Sequence, residues 1–358
     1  MELQWLHRMP GGRLLWTDGE SAYFARGMSY YRVDNGGKRL GRVVRVGSIL
    51  EYLLSLFRLP RQLLRGGIHH LWPLQDGAAL VVVRKRAYFV NATGRAALAL
   101  RFPRGNKPAH KGVCVTPHGE VFLGEYALNF ERKMPVTLYR SRDGGRTFAA
   151  IFEFAPGEVR HIHFLQWDPY TNCLWLGTGD ADSECWIYRS QDGETWEKVG
   201  GGSQLWRAVG VSFRPEALFW GTDAGSDAGE HPNYVMRLDR TTLALTKVLE
   251  IQGPCHGNAT LKDGTLLVST GVEGGVNEKD HCAHLWASRD GDTWQEVVHF
   301  KKDRWPYLLQ YGVIRFPQGL EQSDRIAFTC LGLAGCGETV LVANLRPAKA
   351  DLVMTNQP

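Results

Sequence analysis

Tyr139-Arg-Ser-Arg-Asp-Gly-Gly-Arg-Thr-Phe148 reads as the end of a strand, a tight polar turn and the start of a second strand. Gly145 supplies the positive φ that a reversal needs, and the oxygens of Ser141, Asp143 and Thr147 can bond turn amides. Phe148 then returns to the core on the second strand. The stretch recurs as Tyr188-Arg-Ser-Gln-Asp-Gly-Glu-Thr-Trp196 and as Trp286-Ala-Ser-Arg-Asp-Gly-Asp-Thr-Trp294. Ser141 and Ser190 stand 49 residues apart, and Ser190 and Ser288 stand 98 apart, twice that spacing. One unit has therefore lost its signature and kept its length. A fixed period of this size means a repeat architecture.

The second copy shows what the repeated unit contains. Reading back from its turn, Cys185–Arg189, Cys173–Gly177 and His161–Trp167 are short apolar or alternating runs, and Thr195–Val199 follows the turn. Four short antiparallel strands in about 49 residues match one blade of a β-propeller. The template extends forward through Arg207–Phe213, Ala217–Gly221, Tyr234–Leu238 and Leu243–Val248, where the turn keeps Asp239 and Thr241 but no glycine. It continues through Thr265–Ser269 and the third signature, then Tyr311–Phe316, Arg325–Thr329 and Thr339–Ala343. Backward lie Ala79–Val83 with Ala87–Val90, and Arg13–Trp16 with Tyr30–Val33. The count is seven units of about 51 residues. Six blades with an irregular N-terminal cap is the alternative. The expected fold is all-β, a single propeller domain over 1–358. Residues 48–65 depart from the pattern: apolar residues at helical spacing, broken at Pro60, predict two short amphipathic helices inserted between the first and second blades.

No run approaches the length of a transmembrane helix, and Met1–Arg8 lacks the plan of a secretory signal. A cytoplasmic setting is expected. Seven Cys without Cys-x-x-Cys spacing favour neither a disulfide framework nor a zinc ribbon. Lys and Arg are scattered, so no nucleic-acid partner is expected. The net charge of +5 is compatible with an anionic ligand.

Ser-x-Asp-x-Gly-x-Thr-Trp is the Asp-box, or BNR repeat, and the chain resembles the propellers that carry it. The match covers about ten residues at each of three places, with Phe148 for Trp in the first and a shorter turn in the other two. The resemblance implies a sialidase-like propeller in the broad sense, a group that spans sialidases, other glycoside hydrolases, polysaccharide lyases, sugar-binding proteins and photosystem assembly factors. The Arg-Ile-Pro-type motif of true sialidases has no counterpart in position: Leu100-Arg-Phe-Pro103 and Ile314-Arg-Phe-Pro317 keep only an Arg and a Pro. No arginine triad is carried over.

In a propeller the first strand of each blade lines the channel. The loops entering first strands and leaving second strands open on one face, opposite the signature turns, and ligands bind where they converge. At starts of first strands stand His69, His70, His110, Lys111, His161, His163, Arg207, His256 and Tyr311. At ends of second strands stand Glu125, Tyr126, Asp180, Asp182, Asp223 and Glu273. Six of the chain's 12 histidines fall at these few positions, which argues for a polar ligand site. Glu125, Asp180, Asp182, Asp223 and Glu273 are the candidate acids and bases for glycoside hydrolysis. His161 and His256, with His110 and His163 beside them, are the candidate bases for the alternative, β-elimination of an acidic polysaccharide, with Arg207 or Lys111 neutralising the carboxylate. Lys111, His110, Tyr126, Arg207, Glu273 and Tyr311 are the candidate substrate-binding residues. His161 and His163, two apart on a strand, face one side and could ligate a divalent ion, although no cofactor is required. The leading expectation is an enzyme cleaving glycosidic bonds in an oligo- or polysaccharide, with a non-catalytic glycan- or protein-binding propeller as the third reading. Segment 48–65 is expected on the ligand face as a lid or packing element, in preference to a membrane contact.

Overall fold

The computed structural model describes residues 1–34, 37–105, 107–319 and 325–346. Its strands form seven four-stranded antiparallel blades among the described residues. Blade 1 holds Arg13–Thr17, Ser21–Arg26, Ser29–Asp34 and Arg39–Arg45, and blade 2 holds His70–Pro73, Ala79–Val83, Arg86–Val90 and Ala96–Arg101. Blade 3 is Val113–Val115, Val121–Gly124, Val136–Ser141 and Ala149–Phe154. Blade 4 is His161–Asp168, Cys173–Gly179, Trp186–Ser190 and Glu197–Gly201. Blade 5 is Ser212–Phe213, Ala217–Gly221, Asn233–Asp239 and Leu245–Ile251, and blade 6 is Cys255–Thr260, Leu266–Val272, Cys282–Ser288 and Gln295–Lys301.

Blade 7 combines Gly312–Arg315, Arg325–Leu331 and Thr339–Arg346 with the N-terminal strand Glu2–Pro10, paired from Glu2↔Arg346 to Pro10↔Thr339. The first residues of the chain thus complete the last blade and close the ring. Without this strand the edge of Thr339–Arg346 would lie open. The sequence reading assigned no strand to this segment.

Burial follows position in the blade. Second strands such as Cys173–Gly179 and Leu266–Val272 are buried at every residue, because neighbouring blades cover both faces. Outer strands such as Arg39–Arg45 and Ala96–Arg101 are mostly exposed. The aromatic residues near the turns join this packing: Trp175 and Trp220 are buried, and Trp206 lies against Trp220 with centroids 5.6 Å apart.

The three recurring turns are built alike. Asp143 Oδ1 accepts from the amides of Arg146 and Thr147, both at 3.0 Å, while Ser141 Oγ accepts from Gly145 at 2.8 Å. Asp192 with Ser190 and Asp290 with Ser288 repeat the arrangement. In blade 5, where the glycine is missing, Asp239 still accepts from the amides of Thr241 and Thr242, and Leu243 takes the positive φ of 56°. The expected strand Arg207–Phe213 shrinks to Ser212–Phe213. Gly210 is wedged against Asn258 and Lys111, and the backbone of Val211 is engaged at both ends by the Gln166 amide of blade 4.

The helical insertion comprises α1 (Ile49–Ser55), opened by a Ser48/Glu51 capping box, and α2 (Arg58–Leu63). Ion pairs of Arg61 with Glu338, Arg58 with Asp303 and Glu51 with Arg86 tie it to a loop of blade 7, to the link between blades 6 and 7 and to the third strand of blade 2. Its outward side chains, among them Ile49, Leu50, Leu53, Phe57, Leu59 and Leu63, are exposed. Among the described residues no helix is long and apolar enough to cross a membrane, and all seven Cys are free thiols.

Candidate active site

Two histidines reach the channel by the same device. His163 in blade 4 and His256 in blade 6 each fall within a register break of the first strand, between Ile162 and Phe164 and between Cys255 and Gly257. A bulge of this kind re-aims the side chain of its extra residue. The ring of each then lies over a glycine of the second strand. A Cβ at Gly179 would come within 2.6 Å of the His163 ring, and one at Gly271 within 2.0 Å of the His256 ring. Any larger residue at either position would displace the imidazole.

Asp180 is the hub of the blade 4 side. Its Oδ1 lies 2.9 Å from His163 Nε2, 3.4 Å from His161 Nε2 and 2.9 Å from Arg207 Nη2, while Arg160 pairs with Oδ2. His161 Nε2 is 2.9 Å from His163 Nε2, and Tyr126 stacks on the His161 ring with centroids 4.0 Å apart. Burial alone would raise the Asp180 carboxyl, but the bonds from His161 and His163 outweigh it and hold the group far below the usual carboxylate range. Burial keeps His163 below the usual imidazole range. Asp227 joins the network through Arg207, 3.0 Å away, and Arg160, 3.5 Å away.

Arg207 leads to the second group. Its Nε stands 3.8 Å from Asp223, and Asp223, His256 and Glu273 bring donor atoms within 4.8 Å of one another. His256 Nε2 is 2.7 Å from Glu273 Oε1. Burial opposes charge on both, yet their mutual bond prevails, so Glu273 is lowered and His256 raised. Among the described residues Asp223 has no such bond. Burial pushes it up to about 8, against the attraction of Arg207 and His256. One carboxyl is thus a proton donor at neutral pH while its neighbour is ionised, the split that assigns acid and base roles.

The blades on the other side of the axis are cationic. Burial and Arg315 push Lys107 down to about 7, and burial with Arg13 pushes Arg315 down to about 10. Among the described residues neither meets a carboxylate, and Arg315 Nε is buried without a hydrogen bond. Burial takes His70 down to about 3 and holds His110 well below the usual range. These rings are therefore neutral, and each donates from Nε2 to a carbonyl, Pro108 at 3.1 Å and Phe316 at 2.9 Å. The charge of Arg315 opposes protonation of His256, so the two sides act on each other electrostatically.

The sequence-derived candidates divide accordingly. Asp180, His161, His163, Arg207, Asp223, His256, Glu273 and Tyr126 come together, with Tyr311 beside His256 at 6.2 Å between centroids. His110 belongs to the cationic side. Lys111 is buried, its carbonyl accepting from Leu165 at 2.8 Å. Glu125 turns towards the outer strands, held by Arg104 at 3.1 Å and the Thr137 amide at 3.1 Å. Asp182 is exposed and accepts from Gln204 at 2.8 Å. Arg160, Asp227, Lys107 and Arg315 escaped the sequence reading. Arg315 carried a signal, a lone cation amid the apolar run Gly312–Phe316.

Two of the groups could hold a metal ion, His161–His163–Asp180 and Asp223–His256–Glu273. At the first, two guanidinium groups already neutralise the carboxylate. The second has an excess of acid and is the better match for a cation.

No protein-family model matches the chain, and no curated protein matches it by sequence. Solved structures do. A catalytically inactive histidine-to-alanine variant of virginiamycin B lyase from Staphylococcus aureus, with quinupristin, superposes with a TM-score of 0.61 at 14% identity, covering 96% of this chain and 99% of that one. A streptogramin B lyase gives 0.56 at 15% identity, covering 96% and 97%. The WD40 repeats of RRP9 give 0.57 at 13% identity, covering 96% and 100%. The chain shares the β-propeller fold with all three.

Proposed function

We propose that the protein is a lyase-type enzyme that eliminates across a bond β to a carboxylate, acting on an acidic substrate for which an oligo- or polysaccharide is the candidate. The observation that carries this reading is the His256–Glu273 pair at 2.7 Å beside an Asp223 carboxyl pushed up to about 8. His256, oriented by Glu273, takes the proton α to the carboxylate. The electrons form the new C=C bond as the C–O bond breaks, and Asp223 gives its proton to the leaving oxygen. Arg315, without an acidic partner among the described residues, holds the substrate carboxylate and the enolate charge that develops on it, and Lys107 joins it when protonated. The likeness to two lyase propellers, one inactivated by loss of a histidine, agrees with this reading. The helical insertion, tied to the rim by its ion pairs, serves as a lid or packing element in this scheme, and its exposed apolar face as a membrane contact is the less favoured alternative.

Hydrolysis is the second reading, favoured by a protonated Asp223 and an ionised Glu273 whose oxygens lie within 4.8 Å of each other. A panel of acidic glycans separates the two. Elimination gives an unsaturated uronate with its ultraviolet band, and hydrolysis gives new reducing ends without it. Binding without cleavage would overturn both and leave a non-catalytic glycan-binding propeller.

The pH dependence has a definite sign. His256 acts as a base only after losing its proton, at a pH above the usual imidazole value because Glu273 raises it. Asp223 acts as an acid only below about 8. A narrow bell with its maximum on the alkaline side of neutrality is expected in kcat/KM, its two limbs belonging to the coupled group. A plateau extending to pH 5 would contradict these assignments.

A further inference from the structure

Away from the channel, the outer strands of blade 6 bring together a second set of ligating side chains. His284 on Cys282–Ser288 lies directly opposite His299 on Gln295–Lys301. Residues three apart in a regular strand point to opposite faces. Here the register breaks between Leu285 and Trp286, leaving Val297 as an extra residue, and Glu296 returns to the face of His299. Glu296 Oε1 lies 2.6 Å from His299 Nδ1 and 3.3 Å from His284 Nδ1, and all three donor atoms fall within 4.8 Å of one another.

His284 makes this more than a surface cluster. It is 4% exposed, and its Nδ1, aimed at Glu296, has no hydrogen bond. Its Nε2 is 3.1 Å from both oxygens of Asp280. With Nε2–H donated to that carboxylate, Nδ1 carries a lone pair facing a carboxylate oxygen, an arrangement that only a cation or a proton satisfies. A carboxylate behind a histidine, fixing its tautomer and turning the other nitrogen outward, is the usual support of a metal-bound imidazole. One divalent ion would also balance the charges of Glu296 and Asp280.

We propose that His284 Nδ1, His299 Nδ1 and Glu296 Oε1 bind one divalent ion of the zinc type, with water completing a tetrahedron and Asp280 supporting His284. Nitrogen and oxygen donors with spacing of this order suit zinc at about 2.0–2.2 Å from each. The ion clips the outermost strand of blade 6 to its neighbour.

The test is zinc titration of chelator-stripped full-length protein against a chromophoric competitor, repeated with cobalt(II) for its tetrahedral visible bands. His299 and Glu296 are exposed, so His299→Ala and Glu296→Gln should fold, as far-ultraviolet circular dichroism can verify. Wild-type protein is expected to bind one equivalent at this site, lost in both variants and retained in His256→Gln. Asp280→Asn should weaken it about tenfold or more. Absence of zinc uptake by wild-type protein, or an equivalent and cobalt bands that persist in both His299→Ala and Glu296→Gln, would overturn the proposal. Neither residue belongs to the channel, so this result is independent of the proposed reaction.

Discussion

His256→Gln is expected to lower turnover of an acidic substrate by about 10²–10⁴-fold, the usual contribution of a positioned proton-transfer group. The fold should survive. His256 occupies a bulge over the bare Gly271, so a shorter and more flexible side chain fits the space. Glu273→Gln should act in the same direction and also shift the pH profile. Without the negative charge at 2.7 Å, nothing offsets the burial of His256, and its proton is lost at lower pH. The ascending limb of kcat/KM should therefore move to lower pH in Glu273→Gln. A unit of merely structural importance would lose activity without that displacement.

Asp180→Asn should be the most damaging single change to stability, at about 3–5 kcal/mol, because it leaves buried charges without their partner. Four cationic or proton-bearing groups converge on this one carboxylate: Arg160, Arg207, His161 and His163. Asp227 cannot replace it, since it lies at the exposed end of both arginines. The pH sign follows from the depressed pKa. Asp180 stabilises the fold above the unfolded value near 4 and loses that contribution as pH falls through its folded value. Wild-type protein should therefore lose stability more steeply than Asp180→Asn once the pH falls below about 4, measured by denaturant unfolding between pH 6 and pH 2. Parallel curves would mean that the network contributes no net stability through this group.

The blades were legible because their turns repeat chemistry at fixed spacing: Ser141, Ser190 and Ser288 set the period, and Asp239 kept its turn even after the glycine had gone. The rim positions were legible for the same reason, which is why Asp180, Asp223, Glu273, His161 and His256 could be brought together from sequence. Four things were hidden. The bulges that aim His163 and His256 depend on strand pairing, which apolar patterning does not encode. Glu125 occupies a rim position like Asp180, but Arg104 draws it outward, a tertiary contact invisible to spacing. Asp227 lies in the same loop of blade 5 as Asp223, further along it than the strand end that was read. The strand Glu2–Pro10 is an outer strand, mostly exposed, so its pattern resembles a polar terminus until Thr339–Arg346 is seen to need a partner.

The division of labour between Asp223 and the His256–Glu273 pair can be measured without a substrate. Infrared difference spectroscopy across a pH titration resolves protonated carboxyl groups from carboxylates. A carboxylic-acid band is predicted at neutral pH, disappearing as pH rises through about 8 and absent from Asp223→Asn. A wild-type spectrum in which every carboxyl has ionised by pH 6, or a neutral-pH band that survives unchanged in Asp223→Asn, would contradict the assignment of acid and base on which the proposed chemistry rests.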